Sequence, residues 1–210
     1  MKKKSLSEPC FFIDSLLNIS DTERKELIRS VEIQARPHHI FLWLRQLRVA
    51  PYSYDFIDNR RMKSPDFIIK NLPPLKVNTH FLLAFHVTEF KEDSFIACRF
   101  CEPINPPFNL CLRGLFIEYR IAGQGSKANL WCKVTGYIRH DIFSRGFFHV
   151  FSVVNKIMMT RQLKNLKKLS ELSFAGEIRT GKLDLSNYYS RSGIHWWVFC
   201  RRRTCNELIT

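Results

Sequence analysis

The chain has 210 residues, of which 45% are hydrophobic and 18 are Phe. This length and composition exclude a disordered chain and are sufficient for one globular domain with a full hydrophobic core. The formal net charge is +14, with 33 Lys or Arg against 19 Asp or Glu. A basic excess is compatible with binding to nucleic acid or to an anionic membrane. It is as readily explained by solubility, because the basic residues are spread along the chain.

The apolar pattern argues against two further classes of protein. No apolar run reaches the roughly 18 residues that a membrane-spanning helix requires. The sequence opens on basic residues, but Glu8, Pro9 and Asp14 interrupt the apolar segment that a secretion signal needs. We therefore expect a cytoplasmic protein.

The cysteines and the short motifs predict no metal and no cofactor. Seven Cys, an odd number scattered through apolar stretches, are typical of reduced buried thiols. Cys98 and Cys101 have CxxC spacing, but residues i and i+3 of a strand lie on opposite faces, and no second pair completes a zinc set. The sequence contains no phosphate-binding loop, dinucleotide fingerprint or G-x-S-x-G motif.

The N-terminal part of the chain mixes helix and strand patterns. Residues 1–28 predict a helical leader, in which Ser20 and Glu23 have the spacing of a capping box. Residues 29–35 alternate apolar and polar side chains, which is the pattern of a strand. Residues 37–48 begin on a proline and predict a short, buried amphipathic helix.

The middle of the chain is dominated by β patterns. Alternating apolar side chains predict strands at residues 79–90, 94–101, 109–122 and 128–140. Gly114 and Gly136 lie inside the last two of these, where glycine is typical of a bend or a bulge. Two long hairpins with central glycines indicate a strongly curved antiparallel sheet.

The longest helix is predicted at residues 143–172. In its first half Phe147, Phe151, Val154 and Met158 recur at helical spacing. We expect the last three of these to face the concave side of the sheet. The second half is basic, and three of its side chains are expected in solvent, namely Lys164, Lys167 and Lys168.

The order of elements indicates an α+β fold, because a run of strands is flanked by helices. A curved sheet around a terminal helix also encloses space for an apolar ligand. Residues 173–210 follow the helix as a basic, aromatic tail, in which Trp196 and Trp197 precede Arg201–Arg203. These residues suit stacking on nucleic acid or a membrane interface, and a tail that folds back over apolar surface is the alternative interpretation.

One segment carries a resemblance to a known family. Residues 38–65, HHIFLWLRQLRVAPYSYDFIDNRRMKSP, resemble a segment of bacterial members of the SRPBCC superfamily, and APYSYDFIDN is its most specific part. That superfamily contains the START lipid-transfer domains and polyketide cyclase-like proteins. The resemblance implies a helix-grip fold, a curved antiparallel sheet wrapped around a long C-terminal helix, over about residues 29–172. It implies no set of catalytic residues.

We accordingly expect a hydrophobic or lipid-like small molecule to bind, without catalysis, in a cavity between the sheet and the C-terminal helix. The loop that follows the first helix would form the mouth of the cavity, although hydrogen bonds that hold a Pro-flanked loop explain its composition as readily. The expected ligand-binding residues are Tyr52, Tyr54, Asp55 and Asp58 at the mouth, Phe85, Cys98, Tyr119 and Val134 on the sheet, and Phe151, Val154 and Met158 on the helix.

Two other functions remain open at this point. An enzyme of the polyketide cyclase or dehydratase kind would use Asp55, Asp58 or a tyrosine as acid–base groups in the same cavity. A basic interaction module would bind RNA or an anionic membrane surface. Of these two partners we retain peripheral contact with a membrane and do not expect nucleic acid. A buried, ionisable Asp in the cavity wall would favour the enzyme, and basic residues gathered on one face would favour the module.

Overall fold

Six antiparallel strands and one 33-residue helix organise the structure, a computed structural model that describes residues 22–54, 62–82, 84–100 and 108–192. The elements in chain order are β1 (Thr22–Ile33), α1 (Pro37–Gln46), β2 (Ile68–Ile69), β3 (His80–Phe81), β4 (Phe85–Lys91), β5 (Phe95–Phe100), α2 (Phe108–Cys111), β6 (Leu112–Gln124), β7 (Lys127–Arg139), α3 (Ile142–Phe174), β8 (Thr180–Gly181) and α4 (Leu185–Ser192).

The large sheet has the strand order β1-β7-β6-β5-β4-β3, with every neighbouring pair antiparallel. The helices α3 and α1 pack on it and on each other. Side chains on its concave face alternate with side chains on its convex face, as the period of two in a strand requires. The predicted α+β, helix-grip fold is therefore confirmed.

The start of α3 is fixed by a side-chain cap. Asp141 accepts hydrogen bonds from the backbone N–H and the hydroxyl of Ser144, each at 2.7 Å, which pairs one of the amides that a helix N-terminus leaves open. The helix then runs without interruption to Phe174. Its bounds differ from the predicted 143–172 by one residue at the start and two at the end.

The two glycines of the long hairpin act in different ways. Gly114 lies at a shift of register between β6 and β7, which is the predicted irregularity of the ladder. Gly136 instead makes room for the helix, because a Cβ at this position would lie 2.8 Å from Cε2 of Phe148. This glycine lets the first half of α3 approach the sheet.

We expect Gly136→Ala to lower the free energy of unfolding by about 1–3 kcal/mol, because the added methyl group overpacks the contact with Phe148. The matched control is Gly146→Ala on α3, where an added Cβ meets nothing within 4 Å. That substitution should raise the free energy of unfolding by about 0.5–1 kcal/mol, since alanine is the better helix former. Urea denaturation of both variants measures the two changes. Equal changes in the free energy of unfolding would contradict the close approach of Phe148 to Gly136.

The predicted helical leader does not extend to residue 28, because β1 already begins at Thr22. Pairing with β7 outweighs the capping-box pattern, as Leu27 lies opposite Val134 and all twelve residues of β1 have partners. Glu23 caps no helix and forms ion pairs with Lys25 and Arg145 instead. The domain therefore includes residues that the sequence had assigned to the leader, and residues 1–21 lie outside the described part.

The predicted strand at residues 79–90 is two strands. Phe81 pairs with Phe85 across a tight turn, where Leu82 has a φ of 45° and its carbonyl accepts a hydrogen bond from Ala84. Apolar residues alternate with the period of a strand both before and after this turn. The pattern alone therefore does not show that the chain reverses direction there.

The predicted tail contributes to the fold over its first twenty residues. β8 pairs in parallel with β2, and Asn71 exchanges two hydrogen bonds with the backbone of Leu183. Tyr188 of α4 is buried against the main core. The domain therefore continues past the predicted end at residue 172, while Trp196, Trp197 and Arg201–Arg203 lie outside the described residues.

His80 and His86 of the β3–β4 hairpin predict that the free energy of unfolding falls at acid pH. Burial, with a smaller effect of His86, whose ring centroid lies 4.2 Å away, lowers the pKa of His80 to about 4. The unfolded chain binds this proton below about pH 6.5, so stability is lost as the pH falls from 6.5 towards 4, by about 1–2 kcal/mol after solvent screening. Urea denaturation at pH 7 and pH 5 should show a smaller loss for His80→Gln, and an equal loss would contradict the assignment.

Candidate functional site

The sheet brings three of the predicted ligand-binding residues onto one surface. Cys98 of β5 and Val134 of β7 both pair with Ile117 of β6, and Tyr119 lies two residues further along β6. Residues that are paired or two apart share a face, so these side chains all point to the concave side. All three are buried.

A buried amide of α3 is hydrogen-bonded to this surface. Gln162 accepts a hydrogen bond of 2.6 Å from the hydroxyl of Tyr119 and donates one of 2.6 Å to the carbonyl of Pro51. Its side chain thus connects the sheet, the helix and the segment that follows α1. Each polar atom left unpaired here would cost about 1–3 kcal/mol, so the three groups form a mutually dependent set.

The helix also holds a strained residue of the APYSYDFIDN segment. Tyr52 has a φ of 54°, in the left-handed region that non-glycine residues rarely occupy, and its carbonyl accepts a hydrogen bond of 2.8 Å from Asn165. The Tyr52 ring is buried and meets Trp43 edge to face at 5.8 Å between centroids. Such strain concentrates at functional sites and is maintained by surrounding contacts. We call Gln162 and Asn165, with the two carbonyls that they bind, the amide clamp.

Three buried side chains of the sheet near the clamp are held in their neutral forms. Burial raises the pKa of the Tyr119 hydroxyl well above its usual value, and the neighbouring Cys132 raises it further. Burial likewise raises the pKa of the Cys98 and Cys132 thiols. None of these side chains provides a thiolate or a phenolate near neutral pH. They can donate and accept hydrogen bonds, but they do not act as nucleophiles or bases there.

The two halves of α3 are held to the rest of the protein in different ways. Its second half makes hydrogen bonds at the amide clamp and at three further side chains, namely Lys167 to the Glu32 carbonyl, Glu171 from the Gln34 amide and Ser173 from the Trp43 indole. The polar contacts of the first half, among the described residues, lie at its beginning, where Asp141 caps it and Arg145 pairs with Glu23. Apolar packing holds the turns between.

That apolar packing falls into two clusters beneath the helix. The smaller one consists of Leu112, Ile138 and Phe148, and the larger one contains Met159 together with most of the core. Phe151 is half-buried and packs against both clusters. Phe151 therefore lies where the two clusters meet.

Asn155 lies one turn after Phe151, on the side of α3 that carries the buried Phe148 and Met159. Its Oδ1 atom is buried, and no donor of the described residues hydrogen-bonds to it. Phe148 lies against Gly136 of β7, and Asn155 follows about 10 Å further along the same side of α3.

The predicted orientation of Val154 is wrong. Its side chain is 50% exposed, and Val150, Val153 and Ile157 are exposed beside it. The inner face of the helix is instead formed by residues at the positions of Phe148, Asn155 and Met159. Because the first half of α3 is apolar around its whole circumference, the periodicity could not fix which side faces the sheet.

The other predicted residues are divided between the interior, the rim and the undescribed part of the chain. Met158 is half-buried. Phe85 is also half-buried and meets Phe100 edge to face at 5.3 Å between centroids, at the start of β4. Tyr54 is exposed. Asp55 and Asp58 lie outside the described residues, so their role stays a prediction.

Sequence reasoning missed Asn155, Gln162 and Asn165. Asn155 and Gln162 lie seven and fourteen residues after Phe148, and so on the same side of α3. A polar residue on the buried side of a helix is the signal that could have identified them. Asn165 lies beside that stripe, and its partner is a backbone carbonyl, which no sequence pattern shows.

Two shallow surface grooves lie elsewhere on the described part of the chain. One, of about 340 Å³, is on the outer face of α3 and is lined by Lys164, Lys167, Lys168, Glu171 and Leu172. The other, of about 470 Å³, is lined by Asp66, Phe67 and residues 177–182. Within the described ranges there is no cluster of three or more His, Cys, Asp or Glu side chains able to hold a metal ion. None of the helices described is long and apolar enough to cross a membrane.

Comparison with known proteins finds similarity only among solved structures. No protein-family model matches the chain, and no curated protein is detectably similar to it. Norcoclaurine synthase from Thalictrum flavum superposes with a TM-score of 0.47 and 8% identity, covering 80% of this chain and 96% of that one. The Zhui aromatase/cyclase from a Streptomyces species gives 0.44 and 10%, covering 71% and 95%. A protein from Thermus thermophilus gives 0.43 and 12%, covering 71% and 99%.

At these identities and TM-scores the similarities assign neither a family nor an activity to the chain. The helix-grip description rests on the chain's own strands and helix. The resemblance of residues 38–65 to the SRPBCC superfamily stays a prediction.

Proposed function

We propose that the protein binds a small, mainly apolar molecule that carries a hydrogen-bond donor, between the first half of α3 and the concave face of the sheet. The molecule would lie at the junction of the two apolar clusters, against Phe151 and Val134. Asn155 would accept the hydrogen bond of its donor. Binding would follow from burial of apolar surface, at roughly 25 cal/mol per Å², with the single polar contact fixing orientation.

The observation that carries this proposal is the buried Oδ1 of Asn155, for which the described residues supply no hydrogen-bond donor. Buried polar atoms almost always have a partner, and one left without a partner costs about 1–3 kcal/mol. Leucine at this position would avoid that cost. A ligand with a hydroxyl or amide N–H would supply the missing donor in place of water.

Entry of the ligand would require the first half of α3 to move outward, because Oδ1 is inaccessible in this conformation. The arrangement of contacts favours such a movement. Hydrogen bonds anchor the second half of the helix from Gln162 onward, whereas the turns from Phe148 to Met158 rest on apolar packing. Segments with few fixed contacts open at the lowest free-energy cost.

The same surroundings favour binding over catalysis. Tyr119, Cys98 and Cys132 are neutral because burial raises the pKa of each, so none of them is a general base at neutral pH. The cyclase-like alternative would depend on Asp55 or Asp58 and stays a prediction. Contact with an anionic membrane also stays a prediction.

Two probes of similar shape test the proposed acceptor, 2-naphthol with a hydroxyl donor and 2-methylnaphthalene without one. We expect 2-naphthol to bind several-fold more tightly in calorimetric or fluorescence titration, since it pairs the buried amide. Equal affinities would show that the acceptor is not used. If neither compound binds and the purified protein carries no small molecule, the proposed function is wrong.

A further inference from the structure

The outer face of α3 carries an uncovered apolar surface. We call it the outer stripe. It consists of Phe143, Val150, Val153, Val154 and Ile157, whose side chains are between 49% and 66% exposed. Their spacing of three, four and seven residues places them on one side of the helix, opposite Phe148. Contiguous apolar surface of this kind on a folded protein marks a site that another surface covers.

The described part of the chain begins close to the start of α3. Thr22, the first residue of β1, pairs with Arg139, which lies only three residues before the start of α3. An ion pair of 3.2 Å between Glu23 and Arg145 joins the same two elements. Thr22, where the described chain begins, therefore lies near the first turn of α3.

The residues that precede β1 have the composition of a cover for the outer stripe. The segment 8–21, EPCFFIDSLLNISD, contains Phe12, Leu16 and Ile19 at spacings of four and three. It contains three acidic residues and no Lys or Arg, whereas residues 143–157 of α3 contain two Lys or Arg and no acidic residue. Apolar periodicity and opposite charge thus both match the segment to the helix.

The length of the segment is also sufficient. The outer stripe extends over 15 residues of helix, and its first and last residues are about 21 Å apart. Fourteen residues reach the same length as a helix and about 46 Å when extended. The segment can therefore span the outer stripe in either conformation without strain on β1.

We propose that residues 8–21 of the chain cover the outer stripe of α3, with Phe12, Leu16 and Ile19 packed against Val150, Val154 and Ile157. This contact would restrain the half of α3 that hydrogen bonds do not anchor. It requires no bound ligand and stands independently of the proposed function.

Photo-crosslinking in the full-length chain tests the proposal. Leu16 is replaced by benzoylphenylalanine, and the crosslinked peptides are identified by mass spectrometry after irradiation of the monomer fraction. We expect crosslinks within one chain to residues 143–157. The same label at Ser5, outside the segment, is the control and should reach this region several-fold less often. Val154→Ser together with Ile157→Ser should lower the crosslink yield of the Leu16 label several-fold.

Three outcomes would overturn the proposal. Crosslinks between two chains would assign the outer stripe to a second copy of the protein. Crosslinks from position 16 to another surface of the same chain would place the segment elsewhere. Equal yields from positions 5 and 16 would show no preferred contact. Circular dichroism checks that the double serine variant is folded. We expect it to fold, because the side chains of Val154 and Ile157 are at least half exposed.

Discussion

Gln162→Ala should lower the free energy of unfolding by about 3–4 kcal/mol, one of the largest effects of a single substitution in this protein. The Gln162 amide is paired at both ends, with the Tyr119 hydroxyl and the Pro51 carbonyl. Its removal leaves both partners buried without a hydrogen bond, at about 1–3 kcal/mol each. Urea denaturation followed by circular dichroism measures the change.

A double-mutant cycle separates this effect from simple loss of packing. Gln162→Met keeps most of the side-chain volume, and in that background Tyr119→Phe should cost at least about 1 kcal/mol less than in the wild type. Gln124→Ala, on the exposed end of β6, is the control and should change stability by less than about 0.5 kcal/mol. Additive effects of the two substitutions in the amide clamp would contradict their coupling.

Asn155→Leu should have opposite effects on stability and on binding. The free energy of unfolding of the ligand-free protein should rise by about 1–3 kcal/mol, because leucine removes a buried acceptor that no described residue pairs and is the better helix former. The affinity for 2-naphthol should fall about tenfold, while that for 2-methylnaphthalene should stay within a factor of about two. Denaturation and titration of the same preparation measure both.

The control for this substitution is Val154→Ala, one residue earlier on the outer side of α3. It should leave the affinity for both probes unchanged, because Val154 faces away from the sheet. If Asn155→Leu lowers the stability of the ligand-free protein, the amide already has a partner, and the binding proposal loses its basis.

The sheet and the long helix were predictable because each shows its own regular spacing of apolar residues along the chain. The strands β5, β6 and β7 alternate over enough residues to identify one buried face, and α3 has an acidic cap at its start and no proline before residue 174. Cys98, Tyr119 and Val134 could be placed together because antiparallel hairpins fix the register of their neighbours.

The remaining features depend on contacts that are distant in sequence. Ser20 and Glu23 have the spacing of a capping box, and only pairing with β7 makes residues 22–29 a strand. The direction in which Val154 points is ambiguous in a segment that is apolar on all sides. The strain at Tyr52 and its support by Asn165 join residues 113 positions apart, which no local pattern encodes.

The most direct test of ligand binding under α3 is native mass spectrometry of the protein purified from its own cells. Wild type, Val154→Ala and Asn155→Leu are compared side by side. We predict the same apolar, donor-bearing adduct on wild type and Val154→Ala, and at least a tenfold lower occupancy on Asn155→Leu. Wild-type protein that is free of any adduct in repeated preparations, or equal occupancy on Asn155→Leu, would contradict the account.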